Sequence, residues 1–448
     1  MRRRSKALSV FVIVLLTSLA IGDSALNLAG ANPFGQPKPK IEPDNYYIMP
    51  DGSVFPDSAP IRREGNVYTL TGDVIGHEIW VSVDGALLDG AGYTVKNNQT
   101  GEGTGVTLNC TKNVIIKNIR VEGFNWGTGI TVNRMIYQPS LFDKQPYPTG
   151  NPYPISSGNT IINCELKNNN IGIGMHNSPE NRIVNNTITG SNIGIQLVGS
   201  EVTASEITHN LIKFNGKGIY LDSSSNNNII FANQIVENSI YGIALAWSSN
   251  NTVQNNLITK NDIGILVCSL GIGVKAEQNT IIYNQIIQNN QWGIRLNGSQ
   301  TGNKIYANNF VDNNLGKGLQ VSIPMFMDSG IGYINYLPGP ANTWNNASAG
   351  NYWSDYQTRY PNATKNADTD VWETPFYINE NNIDQYPLTG QLNIEIPDFE
   401  EEQSNLNTQN SQIPILPYLL ILPIVTLCIV ICIFLLIYKK RNKKSLTL

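Results

Sequence analysis

The chain has 448 residues, of which only 14% are charged, against about 25% in an average globular domain. Asparagine fills the gap, with 59 residues. Without the nine basic residues of the two ends and Asp23, the remainder holds 21 basic and 33 acidic residues, about −12. That balance disfavours polyanion binding and speaks against nucleic acid, which needs clustered Lys and Arg.

Residues 1–31 open with a basic start and an apolar run from Ala7 to about Ile21. They predict a secretory signal, because the run is shorter than the roughly 20 residues of a membrane span. Cleavage after Ser24, Gly30 or Ala31 fits equally. Residues 45–78 precede the first repeat and are expected to form an N-terminal cap. Residues 79–95 resemble a first, irregular stretch of coil.

From there a repeat runs to about residue 325. Units start at Asn159 (NTIINCELKNNNIGIGM), Asn181 (NRIVNNTITGSNIGIQL), Ser205, Asn228, Asn251, Asn279 and Asn303, in steps of 22, 24, 23, 23, 28 and 24 residues. An apolar residue stands two and seven places after each start. Five places after it come Cys164, Asn186, Asn210, Asn233, Asn256, Asn284 and Asn308. Each unit closes on Gly, apolar, any, apolar. The same ending at Gly105 and Gly129 makes nine turns of one pattern.

Units of this length hold strands too short to bury a face alone, so they must stack. The pattern predicts an all-β fold, a right-handed parallel β-helix of 22–25-residue coils. Each strand pairs with its counterpart about 4.8 Å away. Isoleucines form inward columns. The asparagines at the fifth place stack at a corner, each amide donating to the next, and the closing glycines bend the chain with φ > 0. A leucine-rich repeat would want Leu at these positions and a helical stretch in each unit. Cys110 and Cys268 lie six coils apart, about 29 Å at strand spacing, beyond the 7 Å reach of a disulfide. Free thiols follow, with Cys164 filling an Asn slot.

An insertion rich in Pro and Tyr, at about 133–158, interrupts the stack. Residues 342–390 are dense in aromatics and predict a C-terminal cap or module, and 391–412 a polar stalk. Residues 418–438 carry no charge and are followed by KKRNKK. They predict a transmembrane helix with 439–448 as a cytoplasmic basic tail and the large N-terminal part outside. A glycolipid-anchor signal would end apolar. Glycosylation sequons start at Asn98, Asn109, Asn185, Asn250, Asn297, Asn346 and Asn362.

By this register the outward residues between paired apolar ones are Thr107, Thr131, Gly174, Gln196, Tyr220, Ala244, Leu266, Arg295 and Gln320. None is acidic. A glycosidase needs two carboxylates about 5–9.5 Å apart, and the best acidic pair is Glu237 with Asp262. Tyr220, Tyr241, Trp292 and Arg295 are the candidate ligand-binding residues, an outward stripe suited to stacking on sugar rings. His77, His176 and His209 fall on separate coils. Met325 and Met327 are two soft sulfurs.

The repeat N-x-I-x-x-N-x-I…G-I-x-L over about residues 79–321 resembles that of NosD-like proteins, the carbohydrate-binding and sugar-hydrolase β-helix family. GNYWSDYQTRYPN (from Gly350) and TPFYINENNIDQYPL (from Thr374) resemble a tail common on NosD-like archaeal surface proteins. That tail often carries a calcium-like loop; Asp368, Asp370 and Glu373 are what stands there in this chain. The resemblance implies a β-helix and leaves three functions. The first is a membrane-anchored cell-surface protein, structural or glycan-binding, needing no cofactor. The others are an exported polysaccharide lyase or glycoside hydrolase, and an accessory protein in copper-site maturation.

Overall fold

The computed structural model describes residues 45–98, 100–133, 155–269, 275–298, 300–324, 326–328, 335–337 and 341–396. The signal, residues 134–154 of the insertion, Met325, most of the stalk, the expected transmembrane helix and the basic tail lie outside the described residues. Among the described residues no helix is long and apolar enough to cross a membrane.

The strands form three parallel sheets of twelve, eleven and eleven members. The fold is a β-solenoid of the right-handed type, in which a coil gives each sheet one strand. One coil comprises Lys217–Asp222, Ile229–Phe231 and Gln234–Val236; the next comprises Tyr241–Ala246, Thr252–Gln254 and Leu257–Thr259. Register holds from coil to coil, so Ile195, Ile219, Ile243 and Ile265 line up. Ile183, Ile188, Ile195 and Leu197 are fully buried, as the alternation of strand residues demands.

The N-terminal segment forms a coil of its own. Tyr46–Ile48, Val67–Leu70 and Val74–Ile75 join the three sheets. Val54–Phe55 and Ile61–Glu64 pair antiparallel against it and cover an otherwise open edge. The stretch from Ile79, expected to be irregular, is regular: Ile79–Val81, Leu87–Asp89 and Thr94–Lys96 each enter one sheet. The insertion leaves the stack in register, since Thr128–Asn133 pairs directly with Ile171–His176.

The expected asparagine stack is present. From Cys164 through Asn186, Asn210, Asn233, Asn256, Asn284, Asn308 and Asn351, each backbone N–H donates to the next Oδ1 at 2.9–3.1 Å. Side-chain Nδ2 groups donate to the same oxygens. Two further ladders occupy the other corners. One starts at the unit's first residue and runs Asn159, Asn181, Ser205, Asn228, Asn251, Asn279, Asn303, Asn342, Asn382. The other, ten places in, runs Asn169, Ser191, Asn215, Asn238, Asn261, Asn289, Asn313, Gln320.

Two expectations are corrected. The closing glycines are not the left-handed residues. That conformation falls on the residue before a ladder position, such as Asn185, His209, Ala232, Asn255 and Tyr283 (φ 52–56°). The glycines are needed for closeness: a Cβ on Gly242 would lie 2.6 Å from the Gly264 carbonyl oxygen and 2.9 Å from Asn261 Nδ2. Gly194 likewise admits the Gly218 carbonyl rather than bending the chain. Gln320 is not outward. In the last coil Val321 takes the slot opposite Ile294 and Ser322 that opposite Arg295, so Gln320 turns inward to end its ladder.

The aromatic segment closes the solenoid. Tyr352–Trp353 adds to the third sheet beside Asn309–Val311. The Trp353 ring is sandwiched between Phe310 and Phe376 at 4.4 and 4.1 Å. Asp384, fully buried, accepts from Asn351 N–H at 2.7 Å, Trp353 Nε1–H at 2.9 Å and Tyr386 N–H at 3.1 Å. A Cβ at Gly350 would collide with this carboxyl group, which explains the glycine there. Gln320 Nε2 donates to Asp355 at 2.7 Å. Two of the three ladders therefore end on carboxylates.

Candidate outer-face site

In each six-residue strand of the first sheet the third and fifth residues point inward, and the first, fourth and sixth face out. Register turns these into columns. One carries Ile193, Lys217, Tyr241, Ile263 and Trp292; the next carries Gln196, Tyr220, Ala244, Leu266 and Arg295. Tyr241 and Trp292 are thus two coils apart, about 10 Å. Tyr220 and Arg295 are three coils apart in the neighbouring column.

The structure brings Tyr220 and Tyr241 together with Trp247. All three pack on a second apolar cluster, Ala244, Ala246, Leu266 and Cys268, outside the main core. Lys217 and Asp222 belong to this patch as well. The Lys217 ammonium sits 4.3 Å from the Tyr220 ring centroid, and Tyr220 Oη donates to Asp222 Oδ2 at 3.0 Å. Burial holds the Tyr220 phenol well above its usual range, with the Asp222 charge adding to the shift. Burial also lowers the Lys217 pKa. Burial pushes the Cys268 thiol up to about 11. Tyr220 therefore stays protonated at neutral pH and acts as a hydrogen-bond donor. Gln196 Oε1 and Arg295 Nε, in the same column, are shielded and have no hydrogen-bond partner among the described residues. Lys217 and Trp247 were not among the sequence candidates, although Lys217 precedes its closing glycine as Tyr241 and Trp292 do. The first and sixth outward positions of K-G-I-Y-L-D carried the signal.

The other candidates do not gather. Glu237 faces Lys260 at 3.6 Å, while Asp262 accepts from Gln291 Nε2 at 2.7 Å. Each carboxylate is committed to its own neighbour on the adjoining coil. Glu373 bonds Thr364 Oγ1, whereas the Asp368 and Asp370 side chains stand exposed. Among sequons, Asn98, Asn250, Asn346 and Asn362 are exposed; Asn109, Asn185 and Asn297 are half-buried. Asn185 Nδ2 already donates to Asn163. Cys110, Cys164 and Cys268 are free thiols, and Cys164 fills its ladder slot, its pKa pushed up to about 12 by burial.

A family profile described as "Periplasmic copper-binding protein (NosD)" matches residues 149–358. Residues 149–358 are thus NosD-like. The NosD-like stretch spans the insertion's end, seven coil starts and the first part of the aromatic segment. No curated protein matches the chain. Similar solved structures include a double mutant of the periplasmic alginate epimerase AlgG (17% identity, 56% of this chain and 64% of that one, TM-score 0.42). The A-module of the mannuronan C-5 epimerase AlgE6 from Azotobacter vinelandii is another (15%, 64% and 78%, 0.40), as is the enzymatically active domain of bacteriophage CBA120 tailspike protein 2 (13%, 63% and 43%, 0.42). The chain spans less than two thirds of the first of these.

Among the described residues, the histidines do not gather into a site for the copper named in the family description; Met325 and the Met327 side chain lie outside the described residues. His77 stacks on Tyr46 at 4.6 Å. His209 sits in a left-handed corner against Phe231. His176 ends an outward strand position, where burial lowers its pKa. Among the described residues no three of His, Cys, Asp and Glu converge to hold a metal.

Proposed function

We propose that the chain is an exported, membrane-anchored β-helix protein that binds glycans through the outer face of its first sheet. The observation that carries this reading is the Tyr220–Tyr241–Trp247 patch on Ala244, Ala246, Leu266 and Cys268. Aromatic rings on the outside of a solenoid offer flat apolar faces to sugar rings. The Tyr220–Asp222 pair, Lys217, Gln196 and Arg295 supply donors and acceptors around them. Export is supported by the N-terminal signal pattern and by the periplasmic description of the NosD family.

Retention on immobilised polysaccharides tests it. Tyr220→Ala and Tyr241→Ala are each expected to weaken retention about tenfold, the scale of losing one well-packed aromatic contact. Equal retention of parent and variants would sink the reading. The same incubations, scored for new chain ends, separate binding from cleavage.

A further inference from the structure

A pocket opens where the coil pattern breaks. The strand closing the first sheet is cut to Val321–Ser322, and the chain before it leaves the coil path. Asp312, Asn314 and Leu315 lie there in the left-handed region (φ 52°, 60° and 50°). The arm Phe376–Asn379, from far along the chain, closes the opposite side. Between them, beside Trp292, lies a pocket of about 410 Å³, within the roughly 300–1,000 Å³ of small-ligand sites.

Its lining is chemically one-sided. Trp292 offers an indole, Asn314 and Asn379 offer amides, Ser322 a hydroxyl and Lys317 an ammonium; among the described residues no carboxylate lines it. Lys317 is exposed and forms no ion pair among the described residues. Arg295, whose Nε is shielded and unpartnered, stands in register with Ser322 of the lining. On a part of the chain carrying about −12 overall, a pocket lined by Lys317 and, among the described residues, by no acid is a local reversal of sign. Local fields of this kind select the charge of what binds.

We infer that this pocket takes an anionic sugar ring, stacked on Trp292 with its acid group on Lys317. The inference rests on the glycan-binding reading and narrows it. The Tyr220–Tyr241 patch holds neutral stretches of a chain, and the pocket at the end of the stripe holds an acidic residue.

The test is titration calorimetry on the full chain with tetragalacturonate, its neutral methyl ester and a sulfated galactan tetramer. At low salt an acidic probe is expected to bind about tenfold tighter than the ester, the scale of one charge-assisted hydrogen bond. The margin should shrink as salt is added. Lys317→Met should abolish that margin, and Trp292→Ala should weaken all probes. The tighter of the two acidic probes identifies the acid group. Equal affinities for acids and ester, or a margin that survives Lys317→Met, overturn the inference. In that event neutral probes lost on Tyr220→Ala would leave the broader reading standing. If no probe binds, both fall.

Discussion

Replacing Asn256 with alanine is expected to destabilise the solenoid by about 5 kcal/mol. Its Nδ2 donates to the Ile230 and Gln254 carbonyls at 2.9 Å and to Asn284 Oδ1 at 3.0 Å. Its Oδ1 accepts from Asn233 N–H and Nδ2–H at 2.9 and 3.0 Å. All of these groups but the half-buried Gln254 carbonyl are buried. Each lost bond costs about 0.5–1.5 kcal/mol net, and an orphaned buried N–H about 1–3. Alanine cannot shift its backbone to compensate, because the ladders at the other two corners pin the coil. Denaturant unfolding measures the effect. Cys164→Ala is the internal comparison. Cys164 meets the coil before it only through its sulfur, a weaker partner than an amide, so its truncation is expected to cost clearly less. Equal effects at the two positions would mean that the ladder adds nothing beyond side-chain volume.

The second large effect depends on pH and resides at Asp384. Burial pushes this carboxyl up to about 6, against the opposing pull of hydrogen bonds from Asn351 and Trp353. A carboxyl group raised in the folded state favours folding when protonated. Its contribution is fully present below the unfolded value near 3.8 and is lost as pH rises through about 6. At about 1.4 kcal/mol per unit, stability is expected to fall by about 3 kcal/mol across that window. Other carboxylates titrate in the same range, so the informative quantity is the difference from Asp384→Asn. The amide keeps an acceptor for Asn351 and Trp353 and cannot ionise. Parent and variant curves should diverge between pH 4 and 6, with the variant the more stable above pH 6. Parallel curves would place the Asp384 pKa near its ordinary value.

The period alone made much of the fold legible. Ile183, Ile188 and Ile195 recur at fixed offsets, and a strand too short to stand alone has to stack. The fifth-place asparagine was legible because it recurs in nearly every unit. The ladders at offsets zero and ten use the same five-residue spacing. Ser205 and Ser191 break their identity, and asparagine is so frequent that inward and outward copies look alike. The glycine column was visible but its reason was not. A residue without a Cβ serves either a left-handed turn or a close backbone approach, and Gly242 shows which only once the Gly264 carbonyl is in place. The last coil misled because G-K-G-L-Q-V offers two frames for one ending. Of the candidate site, Tyr220 and Tyr241 could be read as outward. Lys217 precedes its glycine as Tyr241 does and was equally legible, but its place over the Tyr220 ring was not. The pocket at Trp292 joins Lys317 to Asn379, and no local spacing announces such a pairing.

The three ladders run one way. In each coil the N–H and Nδ2–H groups point toward the oxygen of the following coil, so a stack cut after any coil ends in unsatisfied donors. Such an end can be extended indefinitely by another coil of the same pattern. A carboxylate accepts without donating, and so Asp384 and Asp355 act as chain terminators in the polymer sense. Elongation and termination are thus written in separate residues. Adding or deleting one whole coil between Ser205 and Asn303 would change the length of the rod by about 4.8 Å and leave both ends untouched. Reach becomes a property that can vary in quantised steps, independent of the patch and the pocket the rod displays.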